Sequence, residues 1–293
     1  FDVYGAMPDR RLPGVQDGGY MDIRGALREA SQLFPERKDF AWYATDGKEG
    51  AAPAATSHAF PYAGYYVMRS GWEPDARWLW FDGGPFGYGH QHEDKLNLIV
   101  HAYGKLLLVD PGNYQYERSK WRQYFIDSPS HNVVLVDGQP QRRRGRPREE
   151  YVVKEPLPHV WVTTPEYDYA EATFDEGFGG DVKQGVAHTR RVLFVKPDYW
   201  VILDTLSARD GKPHTYEALF HFDAPVKADA AGLRVSTANE GAANLTIAAR
   251  PDADGMRIGY VPSPGIWDTG YSYDFSGTRV ALSLSVEGLN SPD

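Results

Sequence analysis

Two hydrophobic rhythms divide this chain. Between Met21 and Phe34 the apolar residues fall at helical spacing: Ile23, Leu27 and Ala30, then Leu33 and Phe34. That period predicts one amphipathic helix, ended by Pro35, which has no amide hydrogen to donate. Ala41-Trp42-Tyr43 begins another short piece. Residues 48–62, rich in Gly, Ala, Pro and Ser, read as a linker. From about residue 63 the rhythm changes to short β-branched and aromatic runs, separated by turn signals such as Tyr103-Gly104, Asp137-Gly138 and Asp210-Gly211. The expected strands include 65–69, 78–81, 96–103, 105–110, 132–137, 151–154, 159–163 and 169–173. They continue with 189–195, 200–206, 215–222, 233–236, 245–249, 256–261 and 278–285. So many short strands at regular spacing predict a mainly β fold: a large antiparallel two-sheet sandwich preceded by a short α-helical segment.

Composition narrows the function classes. A length of 293 residues suffices for one large β domain or two ordinary ones. The net charge of −9 argues against a general nucleic-acid binder. With no cysteine, disulfides and thiolate metal ligands are excluded. No apolar run approaches the length of a membrane span. Aromatics reach 14%, which suits a cleft for sugar rings, although a large sandwich uses Tyr and Trp structurally too. The chain starts at Phe1 and shows no signal peptide, so it reads as processed or incomplete at its N-terminus.

One segment runs against the acidic trend: Arg142-Arg143-Arg144-Gly145-Arg146-Pro147-Arg148. Gly, Pro and crowded like charges make it a loop. It is either a solvated loop tip or a patch for an anionic ligand, since guanidinium forks match carboxylates and sulfates. In the second reading Arg142, Arg143 and Arg144 contact substrate.

The densest chemistry lies just upstream, in Gly89-His90-Gln91-His92-Glu93-Asp94. Alternation on an extended chain would put His90 and His92 on one face. Asp110 ends one expected strand, Tyr114 and Tyr116 sit in the next loop, and His131 opens another strand. His92, Asp110 and His131 can converge into a nitrogen and oxygen site suited to Zn²⁺ or another divalent cation. The other histidines, His58, His101, His159, His188, His214 and His221, lack such company and are expected to be structural.

These residues resemble the heparinase II/III-like polysaccharide lyases over 65–141. The resemblance rests on Gly89-His90-Gln91-His92-Glu93-Asp94, Val109-Asp110-Pro111-Gly112, Tyr116, Trp121-Arg122-Gln123-Tyr124-Phe125 and Ser130-His131-Asn132-Val133-Val134-Leu135-Val136-Asp137-Gly138. It implies an N-terminal helical toroid joined to a C-terminal β-sandwich, and β-elimination on a uronate-containing polysaccharide of the glycosaminoglycan or alginate type. His90 would then be the catalytic-cleft histidine and Tyr116 a cleft tyrosine. His92, Asp110 and His131 would hold a metal, usually zinc. Tyr114 and Arg122 would be substrate contacts, with a structural salt bridge as the other reading of Arg122. Residues 1–60 would be the tail of the toroid domain and its linker, and 61–293 the sandwich. The catalytic tyrosine and the carboxylate-neutralising residue are expected on the toroid, upstream of Phe1, which would make this chain the C-terminal part of a bacterial secreted or periplasmic lyase.

Three other readings compete. A carbohydrate-binding sandwich with a structural metal needs no open histidine. A cupin-like metalloenzyme fits the spacing from Gly84 to His90 and His92, but Leu96 and Asn97 stand where its glutamate belongs. A metallo-β-lactamase-like motif would want histidine where Lys95 stands.

Overall fold

Trp78-Leu79-Trp80-Phe81 is apolar at every position, the pattern of a strand covered on both faces rather than one. In the computed structural model the strand Trp78–Asp82 is buried throughout, as is its neighbour Leu98–Ala102. The structure describes residues 1–179 and 185–250, and the backbone of the strands Met256–Val261 and Thr278–Val286. Among these the chain is mostly β, with antiparallel sheets and few helices.

The largest sheet runs, in spatial order, Met256–Val261, Thr278–Val286, His214–Phe222, Lys105–Leu108, Leu98–Ala102, Trp78–Asp82, Tyr65–Arg69 and His58–Phe60. The short strand Val134–Val136 also pairs with His214–Phe222. A second sheet contains Tyr199–Ala208, Val186–Val195, Tyr167–Phe174 and Val160–Thr163. A small third sheet holds Val226–Asp229, Arg234–Thr237 and Thr246–Ala248. The core lies between the two main sheets. There Met68, Leu79, Phe81, Leu98 and Val100 pack with Ala170, Phe174, Val192 and Phe194. The outer face of the large sheet is also covered: Met7 and Tyr20 from the N-terminal segment pack with Val67, Trp78, Trp80 and Ile99.

Several expected elements shift. The helix is Arg24–Leu33, and Met21–Asp22 instead pairs with Arg11–Leu12. Its apolar stripe is only half used, since Ile23 and Leu27 are buried while Leu33 and Phe34 stay exposed. A second helix, Lys38–Ala44, follows. The expected linker ends early, because His58–Phe60 already pairs with Tyr65–Arg69. The strand expected at 151–154 is absent; a 3₁₀ turn, Arg148–Tyr151, precedes irregular chain.

One strand positions the chemistry. Leu108 pairs with Phe222, and Val134 pairs with Ala218 four residues earlier on the same strand. The segments ending in Asp110 and beginning at His131 are thus laid side by side.

Candidate functional site

His90 and His92 do not lie on an extended strand. Residues 83–97 form a loop between Trp78–Asp82 and Leu98–Ala102, and His90 has φ of 63°. That left-handed residue breaks the alternation and sends the two rings to different environments. The His90 side chain is 70% exposed, whereas His92 is fully buried.

The buried half is a metal-competent cluster. His92, Asp94 and His131 each offer a ligand atom, all within 4.8 Å of one another. Nδ1 of His92, Nε2 of His131 and Oδ1 of Asp94 are buried without a hydrogen-bond partner. Asp94 Oδ1 does face Arg143 Nη2 at 3.5 Å, but the two imidazole nitrogens have no partner. Leaving them bare is costly unless a cation satisfies them, so the donors fit a divalent ion with nitrogen and oxygen preferences. Asp94 was not foreseen as part of this group. Asp110, expected among the ligands, lies on the other side of His131: its Oδ2 is 2.7 Å from His131 Nδ1 and accepts from Asn97 Nδ2. The backbone amide of Gly112 donates to its Oδ1 at 3.0 Å.

Electrostatics differ between the two rings. Burial pushes the His92 pKa down, keeping it neutral as a ligand must be. Burial also opposes charge on His131, but the Asp110 carboxylate overrides it by charge and hydrogen bond, so its pKa rises. A cation there would have to displace that proton.

The exposed half centres on His90. Its Nδ1 lies 3.0 Å from the Tyr116 hydroxyl and 3.1 Å from Asp17 Oδ2. Tyr116 is 65% exposed, and the Arg122 guanidinium sits 4.9 Å from its ring centre. Arg122 is held by Asp17, with Nη2 donating to Oδ2 at 2.9 Å and Nη1 donating to Oδ1. Burial pushes the Asp17 carboxyl pKa up, yet hydrogen bonds from His92 and Arg122 outweigh it and hold the group well below the usual carboxylate range. Arg122 comes from the helix Lys120–Phe125, capped by Ser119, whose hydroxyl accepts from the Arg122 amide. Tyr114 is half-buried against Phe125, ring centres 5.1 Å apart.

The arginine run divides. Arg143, expected on the anion patch, is instead buried. Its Nε donates to Glu93 at 3.2 Å and its Nη2 to the His92 carbonyl at 2.8 Å. A substrate cannot reach it; it props up the 90–94 loop. Arg144 lies on the surface but also donates to the Gln91 carbonyl, at 3.0 Å. Arg142 is exposed.

Sequence reasoning missed two contributors from far upstream. Gln16 accepts from the His92 amide at 2.7 Å and donates to Asp94 at 2.7 Å, and Asp17 contacts both histidines. They stand in Gly14-Val15-Gln16-Asp17-Gly18-Gly19, a turn signal with no chemical spacing to the histidines. Asn132 enters the sequence reading only as part of a motif. Its Nδ2 donates to the carbonyls of Leu98 and Val109, and its Oδ1 accepts from the His221 amide.

Comparison with known proteins agrees with this architecture. The family model described as Heparinase II/III-like, C-terminal, matches residues 52–290. A heparin-sulfate lyase of Bacteroides stercoris is 28% identical over 210 residues, covering 69% of this chain and 29% of that protein. The heparin-sulfate lyase of Pedobacter heparinus is 24% identical over 206 residues, covering 68% and 29%. The chain therefore spans under a third of the length of these relatives. Among solved structures, heparan sulfate lyase HepC from Pedobacter heparinus superposes with a TM-score of 0.82 at 19% identity, over 98% of this chain and 43% of that one. The heparinase III-BT4657 gene product superposes with a TM-score of 0.80 at 23% identity, with the same coverage. These two likenesses establish the fold.

Proposed function

This chain belongs to the heparinase II/III-like family, and on that premise we propose that it is the C-terminal part of a polysaccharide lyase acting on a uronate-containing glycosaminoglycan of the heparan sulfate class. The observation that carries this reading is the exposed His90 ring beside an exposed Tyr116 hydroxyl, 3.0 Å apart. A metal-stabilised binding module has no need of an open histidine–tyrosine pair. A cupin-like site needs both histidines of the pair on the metal, and His90 lies outside the cluster.

β-Elimination consumes no water. The C5 proton of the uronate leaves, the C4–O4 bond breaks, a C4–C5 double bond forms, and the departing O4 is protonated. The C5 proton is weakly acidic until the neighbouring carboxylate is neutralised. In this reading His90 and Tyr116 handle protons at C5 and O4. Arg122 contacts the uronate carboxylate or a sulfate through the guanidinium hydrogens that Asp17 and Asn113 leave free. Arg142 and Arg144 add cationic surface nearby. The neutralising group expected on a helical domain completes the cleft, with the N-terminal residues as the end of that domain. The sandwich starts at His58 rather than at residue 61, since His58–Phe60 pairs into the large sheet.

The metal in this reading is zinc, held by His92 and His131 with a carboxylate from Asp94 or Asp110. When bound it supplies charge that fixes the loops beneath the cleft. Zinc affinity of Asp94→Asn against Asp110→Asn separates the two carboxylates. The resemblance to the lyase family carries the reading of a secreted or periplasmic setting.

The test is absorbance near 232 nm, the signature of the new double bond, on heparan sulfate, hyaluronan, chondroitin sulfate and alginate. The complete enzyme should give a rise on heparan sulfate that His90→Ala abolishes. No rise on any polymer, with zinc bound, sinks the lyase reading.

A further inference from the structure

We propose that Asp17 is a positioning residue that sets His92 and His90 and aligns Arg122 for the reaction proposed above, on which this inference rests. Asp17 lies outside the span matched by the family model, in the strap of chain that joins Arg11–Leu12 to Met21–Asp22. Its side chain is 3% exposed, yet its two oxygens meet His90, His92 and Arg122, and Tyr116 hydrogen-bonds to it as well. Oδ1 faces His92 Nε2 at 3.1 Å and accepts from Arg122 Nη1. Oδ2 faces His90 Nδ1 at 3.1 Å and accepts from Arg122 Nη2 at 2.9 Å.

The strap is pinned on both sides, so the carboxylate cannot swing away. Before it, Gln16 is tied to the His92 amide and to Asp94. After it, the Gly18 carbonyl accepts from the Asn113 amide at 3.0 Å, and the Tyr20 hydroxyl donates to the Asp110 carbonyl at 3.0 Å.

A carboxylate can only accept, so the imidazole proton of neutral His92 belongs on Nε2. That leaves the bare Nδ1 lone pair for a cation. The same carboxylate grips the Arg122 fork in bidentate fashion and reaches the exposed ring of His90. One buried group thereby couples the metal-competent cluster to the cleft. A plain salt bridge to Arg122 would do none of this to His92, and that difference is measurable.

Zinc is titrated into the full chain, comparing wild type, Asp17→Asn and Arg122→Gln, with near-ultraviolet circular dichroism as the check on folding. Removing the anionic acceptor should weaken zinc binding about 10–100-fold. Arg122→Gln breaks the same ion pair but keeps the Asp17–His92 contact, and should stay near wild type. Unchanged affinity in Asp17→Asn overturns the proposal, as does an equal loss in both variants. A wild-type chain that binds no zinc overturns it too, together with the metal reading. If Asp17→Asn does not fold, the ¹⁵N shifts of His92 in the unaltered chain decide: an Nε2–H tautomer supports the proposal and an Nδ1–H tautomer overturns it. Zinc binding as expected, without an unsaturated product from the complete enzyme, would sink the lyase reading and leave the role of Asp17 intact.

Discussion

At the scale of single residues, His101 shows how burial dominates the behaviour of a titratable group. It is 1% exposed, neither ring nitrogen has a hydrogen-bond partner, and Asp9 stands 3.9 Å away. Burial, helped by the charges of Arg11 and Arg69 and opposed by Asp9, pushes its pKa down to about 4. The unfolded chain takes up that proton near pH 6.5 while the folded chain refuses it until about pH 4. Stability therefore falls as pH drops through this window, by up to about 3 kcal/mol. Urea unfolding of wild type against His101→Leu from pH 7 to 4 should show a steeper loss in wild type, because His92 and His188 contribute the same sign in both chains; parallel curves would refute it. The sequence marked His101 as structural, and it is. Nothing in it marked the fully buried Arg143, because a run of arginines looks the same whether solvated or folded under a loop.

At the scale of elements, the strand Val186–Val195 sorts two adjacent arginines onto opposite faces. Arg190 points inward. It grips Asp204 with Nε at 2.7 Å and Nη2 at 2.9 Å, and its Nη1 donates to the carbonyls of Leu96 and Asn132 at 2.6 and 2.7 Å. It therefore ties the second sheet to the two loops that carry Asp94 and His131. Arg191 points outward to Glu171, both partly exposed. Arg190→Met leaves the half-buried Asp204 with His188 as its remaining partner and strands two buried carbonyls, and should cost about 3–5 kcal/mol. Arg191→Met should cost less than about 1 kcal/mol. Equal midpoints in denaturant titrations of the two variants would contradict this division. Period-two alternation made the two faces legible in advance. The identity of Arg190's carbonyl partners was not, since they lie 94 and 58 positions away.

At the scale of the molecule, the large sheet is a middle layer. The second sheet covers one face, and the N-terminal segment covers Trp78, Trp80 and Ile99 on the other. The family match begins at residue 52, but this packing makes the preceding residues part of the same folding unit. A chain shortened to 51–293 would expose that aromatic face. It should bind a hydrophobic dye and lose its cooperative thermal transition, which the full chain keeps. A shortened chain that melts cooperatively without binding dye would show the segment to be dispensable.

The sequence by itself determined the mainly β class, most strand positions after residue 63, and the family to which the ordered motifs around His90, Asp110 and His131 belong. These follow from local quantities: side-chain period, turn residues and short spacings. Tertiary structure alone decided that His90 is open while His92 is buried, because one left-handed residue breaks their alternation. It also placed Asp94 beside His92 and His131, set Asp110 against Nδ1 of His131, and brought Asp17 among them from 73 residues before His90. Such contacts depend on how sheets stack and where a strap crosses them, and chain spacing carries no record of either.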